Sequence, residues 1–285
     1  MLKVKLKSGL EVPYLEKGSG IPVFLIHGFG STHHDWNAIV DSLDKHFRVI
    51  VPNFSLQLLG ELEPKPARLF TKHVQLVKEF VEELSAGAPQ RYAVGHSYGG
   101  ALCWGNLIEN SGIFTATVLL GPMPSNPAPK IQNKTLKTLV DLARHPKLLD
   151  LYLISPLGRI HLPLIESIFH APWIRPGKKR KFAHLTSRKT GIITQVVRNY
   201  SRIIQQEDWS YWDTRFHRIR GPLLILFGSD DHIFKEGMIV IFRQNIPQSE
   251  LVMMENTGHM AMREQPHAVT QHLLKFFSRI PVQAV

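Results

Sequence analysis

The run Gly95-His96-Ser97-Tyr98-Gly99 constrains this chain more than any other feature. Ahead of it, Arg91-Tyr92-Ala93-Val94 reads as a short buried strand. After it, Gly100-Ala101-Leu102-Cys103-Trp104 opens a helix. A G-x-S-x-G run in that setting is a nucleophile elbow: the serine occupies a strained turn, and its Oγ is lifted out of the sheet. The small residues on either side let the helix and a neighbouring strand pass close by. Five residues alone are a weak pattern, and the flanking strand and helix give it weight.

A nucleophilic serine needs a base and a group that orients the base. For this elbow the chain order is serine, then Asp or Glu, then His. Pro222-Leu223-Leu224-Ile225-Leu226-Phe227 is a continuous apolar strand that ends in Gly228-Ser229-Asp230-Asp231. Leu251-Val252-Met253-Met254 is another, followed by Asn256-Thr257-Gly258-His259. Both candidate partners therefore lie just past the C-terminal ends of strands, the edge at which sites form in open α/β sheets. Asp230 and Asp231 compete for the acid position.

The rest of the chain alternates between strand and helix patterns. Leu2–Leu6 and Glu11–Glu16 read as a strand pair, Pro22–Ile26 as a buried strand, and Asp35–Leu43 as a short helix capped by Ser31 or Thr32. Arg48–Val51 and Thr115–Leu120 read as strands and Arg68–Leu84 as a helix. Pro266–Phe277 closes the chain as another helix. Such alternation predicts an α/β fold with a mostly parallel central sheet and helices on both faces. Between Pro122 and Asp213 no strand pattern appears. Thr135–Leu142 and Ile192–Ile204 carry helical periodicity, and five prolines from Pro146 to Pro176 divide the remainder. The expected organisation is a core from residues 1–124 and 213–285, with 125–212 inserted as a helical lid over the C-terminal edge of the sheet.

Through these motifs the chain resembles the α/β-hydrolase fold family, in its lidded esterase/lipase-like group of serine hydrolases. Gly95–Gly100 resembles the family's G-H-S-x-G-G, and Ile26-His27-Gly28-Phe29-Gly30 its H-G-x-x oxyanion loop. Gly228–Asp231 resembles the G-x-x-D acid turn, and Gly258-His259 the terminal G-H. The match covers nearly the whole chain, residues 125–212 only as a variable lid. Carried over position by position, the resemblance implies Ser97 as nucleophile, Asp231 as acid, with Asp230 a turn residue, and His259 as base. The backbone N–H groups of Phe29 and Tyr98 would form the oxyanion hole, with His27, Gly28 and His96 shaping its surroundings. One stretch departs from the family. Where its members continue Pro-Asp-x-x-Gly-x-Gly, this chain reads Pro52-Asn53-Phe54-Ser55-Leu56-Gln57-Leu58-Leu59-Gly60, without the Asp or the tight glycine turns.

The implied activity is cleavage of carboxylic esters with an acyl or other apolar part, lipid included, through an acyl-enzyme. C–C bond hydrolysis and acyl transfer are alternatives within the same fold. A non-enzymatic ligand-binding or interaction protein is the alternative of another class. Ser97 argues against epoxide hydrolase and dehalogenase chemistry, which in this fold uses an Asp nucleophile. No Walker A or G-x-G-x-x-G run is present, and His33-His34-Asp35 lacks further ligand spacing, so neither a nucleotide cofactor nor a metal is expected.

The formal charge of +11 is unevenly spread. Residues 125–212 hold fifteen Lys/Arg against five Asp/Glu, a balance of +10, which leaves +1 for the rest. Lys178-Lys179-Arg180-Lys181 is the sharpest run. A solvated face accounts for such a run. So does attraction to an anionic lipid or membrane surface, whereas no nucleic-acid-binding fold accompanies it. Five acids against fifteen bases make the lid a poor holder of a substrate ammonium, which argues against aminopeptidase action. The single cysteine, Cys103, excludes an internal disulfide and reads as a packing residue. With no leader pattern at the start and no apolar run of spanning length, the expected location is cytoplasmic, with peripheral contact to membrane through the basic lid.

Overall fold

Strand β3 (Pro22–Ile26) is buried at every position, because both faces of the sheet it belongs to are covered. Its side chains alternate: Phe24 and Ile26 join one apolar core, Val23 and Leu25 the other. In the computed structural model, residues 1–54, 68–142, 145–157, 200–201, 203–205, 207–234 and 238–282 are described. They form an eight-stranded sheet in the order β1-β2-β4-β3-β5-β6-β7-β8. The strands are β1 (Leu2–Lys5), β2 (Glu11–Lys17), β3, β4 (Arg48–Pro52), β5 (Tyr92–His96), β6 (Ala116–Leu120), β7 (Leu223–Gly228) and β8 (Glu250–Met254). The β1–β2 and β2–β4 pairs are antiparallel, and every other pair is parallel. The fold is the expected mostly parallel α/β sheet.

Helices α1 (Asn37–Leu43) and α9 (Pro266–Phe277) cover one face. Ile39, Val40, Leu43, Leu273, Phe276 and Phe277 pack there on Val49, Val51, Val94 and Val118. Helices α2 (Leu69–Leu84) and α3 (Tyr98–Glu109) cover the other, with Val74, Val77, Phe80 and Leu102 against Ile50, Ala93 and Leu119. Burying each such Leu, Val or Phe contributes roughly 1.5–3 kcal/mol relative to exposure. Helices α7 (Met238–Asn245) and α8 (Ala261–Glu264) complete the core.

Most predicted elements recur within a residue or two, and the differences have local causes. The segment expected as one helix from Asp35 begins as a 3-10 turn, His33–Trp36, capped by the Thr32 hydroxyl, and only then becomes α1. Helix α2 starts at Leu69 and not at Arg68, whose φ of 58° is left-handed and non-helical.

The insertion lies between β6 and β7. Its described helices are α4 (Lys134–Leu142), α5 (Pro146–Ile154) and α6 (Trp209–Asp213). Of the helix expected over Ile192–Ile204, residues 200–201 and 203–204 are described, and they are helical. The basic run Lys178–Lys181 and the loop from Ser55 to Gly60 lie outside the described residues. The two ends of the insertion are tied to each other and to the core. Ser125 donates its hydroxyl hydrogen to Asp213. Ile131 forms an antiparallel bridge with Phe234. Glu207 reaches back 137 residues to Phe70. Its carboxylate accepts from the N–H groups of Phe70 (3.1 Å) and Thr71 (3.4 Å), the Thr71 hydroxyl (2.9 Å) and the Trp212 indole (3.0 Å). Arg68 supplies no side-chain cap to α2. The capping anion at that helix N-terminus, favoured by the exposed N–H groups and the helix dipole, therefore comes from the insertion.

Candidate active site

Ser97 stands alone between β5 and α3 with φ 53° and ψ −114°, a conformation that L-residues rarely adopt. Three hydrogen bonds hold it there. Its N–H donates to Leu120 O (2.9 Å), and its carbonyl accepts from Met123 N–H (2.9 Å) and Ala101 N–H (3.0 Å). The glycines of the motif make room. A Cβ at Gly99 would stand 2.2 Å from the Ile26 carbonyl oxygen, and one at Gly95 2.5 Å from that of Gly99. The strained turn expected from the sequence is present, and Ser97 is half-buried at the end of β5. Cys103, fully buried behind Gly95, is a packing residue whose thiol burial holds in the protonated form.

His259 and Asp231 meet at the ends of β8 and β7. The His259 Nδ1–H donates to Asp231 Oδ2 at 2.7 Å, both side chains being buried. Asp231 Oδ1 accepts from the Ile233 N–H at 2.9 Å. Burial pushes the Asp231 carboxyl up. The neighbouring His259 and the hydrogen bonds from His259 and Ile233 outweigh that, so its pKa is held below the usual value. Of the two candidate acids, the carboxylate that faces His259 is therefore that of Asp231. Asp230 uses its backbone N–H to bind Thr257 O at 2.8 Å, tying the acid turn to the histidine loop.

His96 links this pair to the serine. Its Nε2–H donates to the His259 carbonyl oxygen at 2.9 Å, and the two rings lie 4.8 Å apart. A Cβ at Gly28 would stand 2.9 Å from His96 Nδ1 and 3.2 Å from Ser97 Cβ. One at Gly121, at the end of β6, would stand 3.3 Å from Asp231 Oδ2 and 3.4 Å from His259 Nδ1. Gly28, His96, Ser97, Asp231 and His259 thus converge on the C-terminal edge of the sheet. Tyr98 opens α3, where a first-turn N–H has no partner within the helix. Its ring meets that of Phe29, in the loop after β3, edge to face at 5.4 Å. His27 Nδ1–H donates to the Gly28 carbonyl at 2.9 Å and so braces that loop.

Burial, with His259 beside it, pushes His96 down to about 3. The folded protein keeps His96 neutral down to that pH, whereas an unfolded chain takes up its proton near ~6.5. Between those values the unfolded state binds more protons, so stability falls as pH is lowered through the window, by about 1.4 kcal/mol per pH unit for this group. Denaturant unfolding between neutral and mildly acid pH should show this slope, and His96→Gln should lose it. An unchanged slope in the variant would assign the acid sensitivity to other groups.

Sequence reasoning missed several residues that hold the site. Gly258 N–H donates to Glu264 Oε2 at 2.6 Å. The Gln265 amide donates to Glu255 O, Asn256 O and the Thr257 hydroxyl. Together they fix the loop that carries His259. Gln132, from the insertion, donates its amide hydrogen to the Asp231 carbonyl at 3.2 Å. The Tyr98 hydroxyl pairs with His73 Nδ1 at 2.6 Å. Only the Glu264–Gln265 pair, close after Gly258-His259, had a local signal. The others join segments far apart in sequence.

These features are those of a hydrolase built on a strand–elbow–helix scaffold. Residues 21–266 match the model of the alpha/beta hydrolase fold family, and the chain belongs to that family. It is 26% identical over 282 residues to the 2-hydroxy-6-oxo-6-(2'-aminophenyl)hexa-2,4-dienoic acid hydrolase of Metapseudomonas resinovorans, covering 95% of this chain and 89% of that one. To Lipase 1 of Psychrobacter immobilis it is 25% identical, with 98% and 84% covered. Among solved structures, the epoxide hydrolase CorEH superposes with a TM-score of 0.74 at 18% identity, with 98% and 99% covered. The protein is an enzyme of the α/β-hydrolase class.

Proposed function

We propose that the protein is a serine hydrolase that cleaves carboxylic esters with an apolar acyl or alcohol part. The observation that carries this reading is the elbow serine sharing one sheet edge with a buried His259–Asp231 pair. Asp231, held ionised, accepts the His259 Nδ1–H, which makes Nε2 the basic nitrogen. His259 would take the Ser97 proton as Oγ attacks the ester carbonyl, and the N–H groups of Phe29 and Tyr98 would receive the oxyanion. Collapse expels the alcohol, protonated by His259, and leaves an acyl-enzyme. Water, deprotonated by His259, then releases the acid and restores Ser97.

An aromatic wall beside the oxyanion loop supports an apolar substrate. The Phe29 ring lies 5.4 Å from that of Tyr98 and 5.1 Å from that of Tyr200, which comes from the insertion. The Tyr200 hydroxyl donates to Met123 Sδ at 3.9 Å. The likeness to the dienoic acid hydrolase favours a second reading, C–C bond hydrolysis by the same groups.

The test is turnover of p-nitrophenyl esters from acetate to palmitate, run in parallel with labelling by a fluorophosphonate. Ester turnover with stoichiometric labelling is expected, and the chain-length optimum sizes the acyl site. Labelling without ester turnover, but with cleavage of a 2-hydroxy-6-oxo-dienoate, would replace the ester reading by C–C hydrolysis. Failure of both labelling and turnover would point to a binding protein.

A further inference from the structure

Helix α2 buries an apolar stripe that includes Leu69, Phe70, Val74, Val77 and Phe80, and His73 lies buried within it. An imidazole in such a stripe loses its hydration, and hydrogen bonds must offset that loss. His73 Nδ1 meets the Tyr98 hydroxyl at 2.6 Å, with the two rings perpendicular and 5.9 Å apart. Phe70, three residues earlier on the same helix face, also meets the Tyr98 ring, at 6.0 Å. Burial first, and then the neighbouring Glu207 carboxylate, push the Tyr98 hydroxyl well above its usual pKa, so it stays a neutral phenol.

We infer that His73 is a positioning residue for the oxyanion hole: by holding the Tyr98 hydroxyl from α2, it steadies the peptide between Ser97 and Tyr98. The role rests on the serine-hydrolase reading above, in which the Tyr98 N–H is one of two oxyanion donors. The direction of that N–H follows from ψ of Ser97, which is −114° beside a φ of 53°. Strained backbone of this kind persists only where its surroundings hold it from several sides. Met123 and Ala101 hold the Ser97 carbonyl. The Tyr98 side chain is the next point along the chain at which the peptide can be held. Without that mooring, relaxation of ψ would rotate the peptide and swing the N–H off the oxyanion. The second donor residue leans on the same anchor, because the Phe29 ring packs edge to face on Tyr98 at 5.4 Å. The insertion meets this assembly at two places. Glu207 accepts from the Phe70 N–H, one turn before His73, and Tyr200 packs on Phe29 at 5.1 Å. His73 acts through Tyr98 and not on the substrate.

The experiment compares wild type with Tyr98→Phe, His73→Leu, the double variant and His73→Asn. Tyr98→Phe keeps the ring and loses the hydroxyl, and His73→Asn returns a polar atom near the place of Nδ1. The readouts are kcat and KM on the best substrate, the rate of fluorophosphonate labelling, and inhibition by an alkyl trifluoromethyl ketone, whose Ser97 adduct carries the same oxyanion. Melting temperatures accompany them. Tyr98→Phe and His73→Leu should each lower kcat about tenfold, part of the hundredfold or more that loss of a whole oxyanion donor costs. Labelling and ketone affinity should fall by a similar factor, while KM stays within about twofold. The double variant should be no worse than either single one, because the same hydrogen bond is lost in all three. His73→Asn should recover most of the loss. A merely structural bond would lower the melting temperature and leave kcat and ketone affinity alone. That result in Tyr98→Phe would overturn the inference, as would additive losses in the double variant. If His73→Leu does not fold, Tyr98→Phe and His73→Asn decide between the same outcomes. A wild type that neither labels nor turns over any substrate would overturn the serine-hydrolase reading itself, and the role of His73 with it.

Discussion

Ser97→Ala is expected to lower kcat by about a million-fold on any ester the protein turns over, while KM changes little. The substitution removes one hydroxyl and leaves the elbow intact. Its backbone is held by Leu120, Ala101 and Met123 and not by its side chain. Alanine adopts the positive φ no more readily than serine does, so the variant should fold as the wild type. What remains would be the roughly 10³–10⁴-fold acceleration over water that such sites retain from the oxyanion donors and binding alone. The measurement is single-turnover kinetics on the best ester, with mass spectrometry of the acyl adduct. Wild type should accumulate the adduct on Ser97, and the variant should form none. Activity within tenfold of wild type would remove Ser97 from the mechanism and leave water activated directly by His259 as the alternative.

Asp231→Asn should cost about 10⁴-fold in kcat. On the proposed mechanism the carboxylate, 2.7 Å from His259 Nδ1, would fix which ring nitrogen carries the proton and would stabilise the imidazolium formed during attack. An amide of the same shape can turn its NH₂ toward Nδ1, and the histidine then presents the wrong tautomer to Ser97. Asp230→Asn is the matched control. Asp230 is tied into the turn by its backbone N–H, so its loss of charge should cost less than about tenfold. Equal losses in both variants would mean that the turn as a whole, and not the Asp231 carboxylate, sets the rate.

The parts of this molecule that can be read from sequence are those with a short-range physical signature. Strands such as Leu223–Gly228 are continuous apolar runs because helices cover both faces of the sheet. The elbow shows in its glycines because backbone passes where side chains would otherwise be. Helix α7 escaped notice because Ile239-Val240-Ile241 favours strand locally, and packing of Met238 and Phe242 decides otherwise. Helix α5 was hidden among prolines, one of which serves as its first residue. In the sequence only family spacing separates Asp231 from Asp230, whereas in the fold the Asp231 carboxylate lies against His259. Polar contacts such as Gln132 to Asp231 have no local pattern, since each depends on segments about a hundred residues apart.

The Glu207 carboxylate gives the fold a temporal order. Helix α2 ends its N-terminal turn on an anion located 137 residues downstream of Phe70. During synthesis the first half of the sheet and α2 emerge before Glu207, so that turn lacks its capping carboxylate until residue 207 has been added. Closing a loop of that length has an entropic cost that only the packed core can offset. The return stem of the insertion is thus a late-arriving clasp on the N-terminal turn of α2.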